Sequence, residues 1–143
     1  MIRLLALTLT LILTLALHSA AADLINSQDQ AEFQRIITAQ ISAFRADDGA
    51  AAYEFAAPAV RKFFPTVEVF MAMVRNGYPQ VYRPQSFIFN EALTDPQGRP
   101  AQKVTILGPD GKTYMAIYTL EKQADGKWLI SSCTILLIPG LDA

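Results

Sequence analysis

From Ser86 onward the chain is divided by turns too short to hold a helix, and that feature decides the architecture of its second half. Four strand-like runs follow one another: Ser86–Thr94, Ala101–Leu107, Thr113–Lys122 and Trp128–Ile138. The separators are Asp95-Pro96-Gln97-Gly98, Pro109-Asp110-Gly111 and Ala124-Asp125-Gly126-Lys127, and the last two carry the Asp-Gly dipeptide favoured in hairpins. Parallel neighbours need a crossover of about a dozen residues or more, so these runs are expected to pair antiparallel as a meander. In the third run Tyr114, Ala116, Tyr118 and Leu120 alternate with Met115, Ile117, Thr119 and Glu121, which offers one face to a core. The last run has Trp128, Ile130 and Leu136 on one side and Leu129, Cys133, Ile135 and Leu137 on the other. Apolar residues on both sides make it the expected central strand, buried on both faces.

The first half has a different period. Phe33, Ile36, Ile37, Ile41 and Phe44 recur at helical spacing on one face. Ser27 and Gln30 have the spacing of a capping box at the helix start, and Asp47-Asp48-Gly49 marks its end, with one of the two aspartates expected to cap the next helix. That second helix is Ala-rich, runs from about Gly49 to Ala57 and breaks at Pro58; Ala59–Phe64 is expected to add one further turn. Pro65-Thr66 opens a third helix with Val67, Phe70, Met71 and Val74 inward, closed by Asn76-Gly77. The stretch Tyr78–Pro84 contains Pro79 and Pro84 and is expected to be extended, a connector or a short extra edge strand. The helical stripes need a surface to bury against, and the meander supplies one. The expected fold is α+β: three N-terminal helices on a curved four-stranded antiparallel sheet.

The segment before these elements belongs to targeting. Arg3 is the only charge before Asp23, and Leu4–Leu17 is an apolar run of Leu, Ala, Thr and Ile. Spanning a bilayer takes about 20 residues, so this shorter run fits a signal-peptide core. Ala20 and Ala22 are the small residues needed for cleavage before Asp23, with a cut one residue earlier also allowed. The reading is a cleaved signal peptide over 1–22 and a single domain over 23–143, exported to the periplasm or the extracellular space and without stable membrane insertion after cleavage. Cleavage removes the only histidine, His18, and, with Arg3 gone, leaves 11 Lys+Arg against 13 Asp+Glu, a formal net charge of −2. That balance, with no basic run, argues against a nucleic-acid partner. Cys133 is the only cysteine, so no internal disulfide forms and the core alone holds the fold.

Helices followed by a meander that ends in Asp125-Gly126-Lys127-Trp128-Leu129-Ile130 resemble the nuclear-transport-factor-2-like superfamily, a cone-shaped α+β fold. Three segments resemble, more narrowly, a bacterial family of small exported proteins of unknown function. They are Gln40-Ile41-Ser42-Ala43-Phe44-Arg45-Ala46-Asp47-Asp48, Tyr53-Glu54-Phe55-Ala56-Ala57-Pro58, and the longer stretch from Phe70 to Pro84. The resemblance implies a cone with a mouth in which relatives bind ligands or partners, or carry out catalysis. Members like ketosteroid isomerase need a carboxylate base with a Tyr or protonated Asp donor. Members like scytalone dehydratase rely on histidine, which the mature chain lacks.

The same lack of histidine removes Ser-His-Asp and Cys-His nucleophiles, and no Gly-rich phosphate loop is present. Adjacent Asp47 and Asp48 diverge and do not make a catalytic pair. Tyr53, Tyr114 and Tyr118 are expected to pack in the core or on the sheet, and Cys133 to be a buried inert thiol. Arg61-Lys62 beside Phe63-Phe64 is a small basic spot on a solvated turn. Tyr78, Tyr82 and Arg83 fall where the helical half meets the sheet and are the candidate ligand-binding residues, suited to an anionic or aromatic small molecule. The sequence therefore predicts a non-catalytic exported module that binds a small ligand or a partner protein through the cone cavity or the sheet face, with a homodimer through the outer sheet face as a further expectation. It calls for neither cofactor nor metal. The competing reading is a histidine-free enzyme using Asp or Glu with Tyr, and it requires Glu91 or Glu121 to enter an apolar cavity.

Overall fold

The computed structural model describes residues 24–141. The apolar run Leu4–Leu17 and the cleavage site lie outside the described residues, and no described helix is long and apolar enough to cross a membrane. The element order is α1 (Ser27–Arg45), α2 (Gly49–Glu54), α3 (Pro58–Phe63), α4 (Val67–Gly77), α5 (Pro79–Tyr82), β1 (Ser86–Thr94), β2 (Pro100–Leu107), β3 (Thr113–Lys122) and β4 (Trp128–Leu137). The strands form one antiparallel sheet in the order β1-β2-β3-β4, the expected meander. The fold is α+β, with the helices packed on one face of the sheet.

Helix α1 carries the largest share of the core. Its Phe33, Ile36, Ile37, Ile41 and Phe44 are all buried, and they meet Val104, Ile106, Ala116, Tyr118 and Leu120 on the sheet. Phe33 also packs edge-to-face on Trp128, with ring centroids 4.8 Å apart. The helix begins one residue earlier than the Ser27–Gln30 spacing predicts. Asn26 is the cap: its Oδ1 accepts from the Asp29 amide at 2.8 Å, and the Asp29 carboxylate accepts from the Asn26 amide at 3.3 Å. The reciprocal bonds of a capping box are made by Asn and Asp instead of Ser and Gln. Asp48 caps α2 by accepting from the Ala51 amide at 3.1 Å, as the sequence predicts for one of the two aspartates.

Three expectations are corrected. The chain from Pro79 to Tyr82 is a helical turn, α5, and not an extended connector or edge strand. Pro79 stands at its start, where a proline's missing N–H and fixed φ cost a helix nothing. Second, α2 stops at Glu54, and the chain then turns extended: the Ala57 amide donates to the Ile130 carbonyl and the Ile130 amide to the Phe55 carbonyl, both at 2.8 Å. Third, β4 is an edge strand and not the central one. Near its start it is covered by that short parallel bridge between Ala56 and Ile130, while Leu136 and Leu137 near its end are exposed. The bridge satisfies part of the edge, which otherwise invites pairing with another chain.

Two bulges bend the sheet. In β1, Asn90 and Glu91 together oppose Lys103, and the buried Gln102 amide fills the gap by donating to the Asn90 and Lys103 carbonyls at 2.8 and 2.9 Å. In β4, Ser131 is the extra residue between the pairs Thr119–Ser132 and Leu120–Ile130. The second helix meets the fourth very closely at Gly49: a Cβ there would come 2.8 Å from both the Met71 Cγ and the Val67 Cγ1. Gly49→Ala, normally favourable in a helix, is therefore expected to destabilise the domain by about 1–3 kcal/mol in urea denaturation, because α2 and α4 must part to admit a methyl group.

Candidate functional site

Between the helices and the β4 side of the sheet lies a cavity of about 350 Å³. Its floor is Tyr118 of β3 with Ile130, Ser131, Ser132 and Cys133 of β4. Phe44 from the end of α1 and Phe70, Met73 and Val74 from α4 make the far wall, with Val81 of α5 and Tyr78 between them. Ala59, Val60, Phe63 and Phe64 form the near wall, and the rim reaches the surface there because Ala59 is exposed and the Phe63 ring is 81% exposed.

Local bonds hold this near wall in place. Proline at the first position of α3 starts the helix, and Pro65 follows its end. Tyr53 donates from its hydroxyl to the Phe64 carbonyl at 2.6 Å, while the Arg61 guanidinium stacks 4.8 Å from the Tyr53 ring centre and donates to the Ala56 carbonyl at 3.0 Å. The basic spot Arg61-Lys62 is thus partly a strut: Arg61 is spent on holding α3 against its neighbours, and Lys62 is exposed.

The electrostatics of the cavity are simple. No Asp, Glu, Lys or Arg side chain lines it. Glu91 is exposed and pairs with Lys103 at 2.8 Å, and Glu121 is exposed on β3, so neither carboxylate reaches the cavity. The lining polar groups are mostly engaged. Gln40 donates to the Ala52 carbonyl at 3.2 Å, and the Ser131 and Ser132 hydroxyls meet the Thr119 hydroxyl at 2.8 and 2.5 Å.

Tyr118 is the exception. Its side chain is 1% exposed and its hydroxyl makes no hydrogen bond of ordinary geometry, a condition that costs about 1–3 kcal/mol. The neighbouring polar group is the Cys133 thiol, from the residue directly opposite on β4. Burial pushes the Tyr118 hydroxyl well above its usual range, and the Cys133 charge would push it further. Burial likewise pushes the Cys133 thiol up to about 12, against a smaller opposing pull from the Tyr118 hydroxyl. Cys133 keeps part of its surface open as a cavity wall, yet both groups stay neutral at physiological pH. The expected inert thiol is thus present, but as a wall of the cavity.

Tyr78, Tyr82 and Arg83 do not form one site. Tyr78 lines the cavity, whereas Tyr82 and Arg83 belong to a polar clamp on the surface around Asp47. The Tyr82 hydroxyl donates to the Asp47 Oδ1, Arg83 pairs with the Asp47 Oδ2 at 3.0 Å, and Arg75 approaches Oδ1 at 3.7 Å. The Arg83 guanidinium also lies 4.1 Å from the Tyr82 ring centre and donates to the Phe44 carbonyl in the last turn of α1, which the Asp47 amide also reaches at 3.0 Å. Asp47 adopts φ +51°, a left-handed conformation that turns its carboxylate back toward these partners. The clamp ties the end of α1 to α4 and α5, and so fixes the wall that Phe44 and Val81 give the cavity.

The cavity residues that sequence reasoning assigned only to packing are Tyr118 and Cys133. The available signal was a Tyr at an inward strand position among aliphatic neighbours, since a buried Tyr ordinarily finds a partner for its hydroxyl. The clamp has a pH signature. The Tyr82 hydrogen bond, and then the charges of Arg83 and Arg75, hold the Asp47 carboxyl below the usual Asp range. A depressed folded value means that the clamp's contribution is complete above the unfolded pKa, about 3.9, and is lost as pH falls through the folded one. An NMR titration should therefore give Asp47 a midpoint below about 3.9, and Asp47→Asn should flatten the acid limb of the stability curve in that window.

Neither a curated protein nor a solved structure matches the chain. One family does, over most of the chain: the family described as "Domain of unknown function (DUF4864)" matches residues 26–143, every described element and the whole cavity included. By that match the chain belongs to the DUF4864 family.

Proposed function

We propose that the domain is an exported, non-catalytic binding module that holds a small, uncharged and mainly apolar molecule in the cavity between its helices and β4. The observation that carries this reading is the lining: aromatic and aliphatic side chains surround about 350 Å³ without one charged group among them. The volume is at the lower end of those that hold small organic ligands. A cavity of ~150 Å³ accommodates a benzene ring, so this one admits a two-ring molecule. The apolar run Leu4–Leu17 followed by Ala20 and Ala22 supports export. Helices leading into a four-stranded meander, with the cavity between the layers, support placing the domain in the nuclear-transport-factor-2-like superfamily.

Ligand binding is favoured over catalysis for a chemical reason. An acid–base mechanism needs a group that titrates near the working pH. The titratable side chains lining the cavity are Tyr78, Tyr118 and Cys133, and burial drives the last two away from that range. An anionic ligand is disfavoured by the same lining, because a buried charge without a partner is costly.

Tetralin and its carboxylate analogue, tetralin-2-carboxylate, separate these cases in a calorimetric titration of the mature protein. Tetralin is expected to bind and to raise the melting temperature with concentration, and the carboxylate to do neither. Ala59→Trp, at the exposed rim, is expected to weaken tetralin binding while leaving the fold intact. Absence of tetralin binding, or equal binding of the carboxylate, would contradict the proposal.

A further inference from the structure

We infer that the molecule held in the cavity carries one neutral hydrogen-bond acceptor, a ketone, ester, amide or ether oxygen, which takes the proton of the Tyr118 hydroxyl. The inference rests on the binding reading above and adds the chemical class of the ligand. Its basis is an accounting of the polar groups around the cavity floor. Tyr118 lies mid-strand in β3, opposite Gln102 of β2 and Cys133 of β4. The Gln102 amide nitrogen is spent on the carbonyls of the β1 bulge, and its oxygen is buried with no partner. The Ser131 and Ser132 hydroxyls are held by Thr119, and the Gln40 amide by the Ala52 carbonyl. The thiol of Cys133 is only a weak acceptor. Tyr118 is a residue of the cavity lining, and its hydroxyl is left buried without an ordinary hydrogen bond.

Buried polar groups in native proteins nearly always have partners, so an orphan in a ligand-sized cavity points to a partner that arrives with the ligand. A phenol is the better donor than acceptor, and the missing partner is therefore an acceptor. With no cation in the lining, that acceptor is uncharged. The same site then holds a plain hydrocarbon, but less tightly than an acceptor-bearing analogue of the same shape, because the hydrocarbon leaves the hydroxyl unpaired; a single polar group in an apolar pocket sets specificity in this way.

The test compares tetralin with α-tetralone, the same skeleton bearing a ketone, by calorimetric titration of wild-type protein and Tyr118→Phe. Expected is an affinity ratio of tetralone to tetralin that falls about 2- to 12-fold in the variant, the range of one hydrogen bond. Thermal melts of the ligand-free proteins guard against a purely structural role. Removing a hydroxyl that has no partner should leave the melting temperature of Tyr118→Phe unchanged or raised. An unchanged ratio with both probes still binding overturns the inference, and so does a lowered melting temperature of the ligand-free variant, which would mean that the hydroxyl is satisfied within the protein. If neither probe binds the wild-type protein, the binding reading itself fails, a separate result from an unchanged ratio.

Discussion

The structure depends on how one long helix covers a four-stranded sheet. Strands about 4.8 Å apart place the outer two about 14 Å from one another, whereas a helix with its side chains is about 10 Å across. The buried stripe of α1 from Phe33 to Phe44 therefore covers only part of the sheet. The remainder falls to α3, α4 and α5, short pieces set by Pro58, Pro65 and Pro79. Of these, α4 and α5 bury Phe70, Met71, Val74 and Val81 against the core but do not close down on β4. The cavity is what remains where the second layer stands off the first.

Its chemistry follows from the same arrangement. The walls are the inward faces of helices and the floor is the inward face of a sheet, so nearly every lining group is one that sequence patterning already commits to the core. Charged residues are held elsewhere. Asp47 is shared by Tyr82, Arg83 and Arg75 on the surface, and Glu91 pairs with Lys103 at the β1 bulge. The Asp47 clamp acts on the cavity through position: by anchoring the end of α1 to α5 it holds Phe44 and Val81 as wall. The one polar feature left inside is the Tyr118 hydroxyl beside the Cys133 thiol.

Much of the fold was legible because it is periodic. The meander followed from Asp-Gly turns and short loops, and the inward residues of α1 and of α4 followed from their spacing. What was not legible depended on partners distant in sequence. The last run reads as a central strand because it is apolar on both sides, yet it is an edge: its protection comes from Phe55, Ala56 and Ala57, which no local pattern links to Ile130. The segment Pro79–Tyr82 reads as extended because prolines bracket it, but Pro79 is compatible with a helix start and Val81 gains burial by turning inward. Tyr82 and Arg83 were recognisable as a cluster, while their partner Asp47 lies 35 residues from Tyr82. Tyr118 and Cys133 looked like ordinary core residues until strand register set them opposite one another beneath a cavity.

The central claim is that this cavity is apolar, empty of protein atoms and reachable from solvent. Diffraction from crystals of the domain over residues 23–143 held under xenon pressure tests it directly, because xenon occupies apolar cavities that water leaves dry. The account predicts a xenon peak among Phe44, Val74 and Tyr118. Crystals in which xenon binds elsewhere, with side chains filling that space, would contradict it.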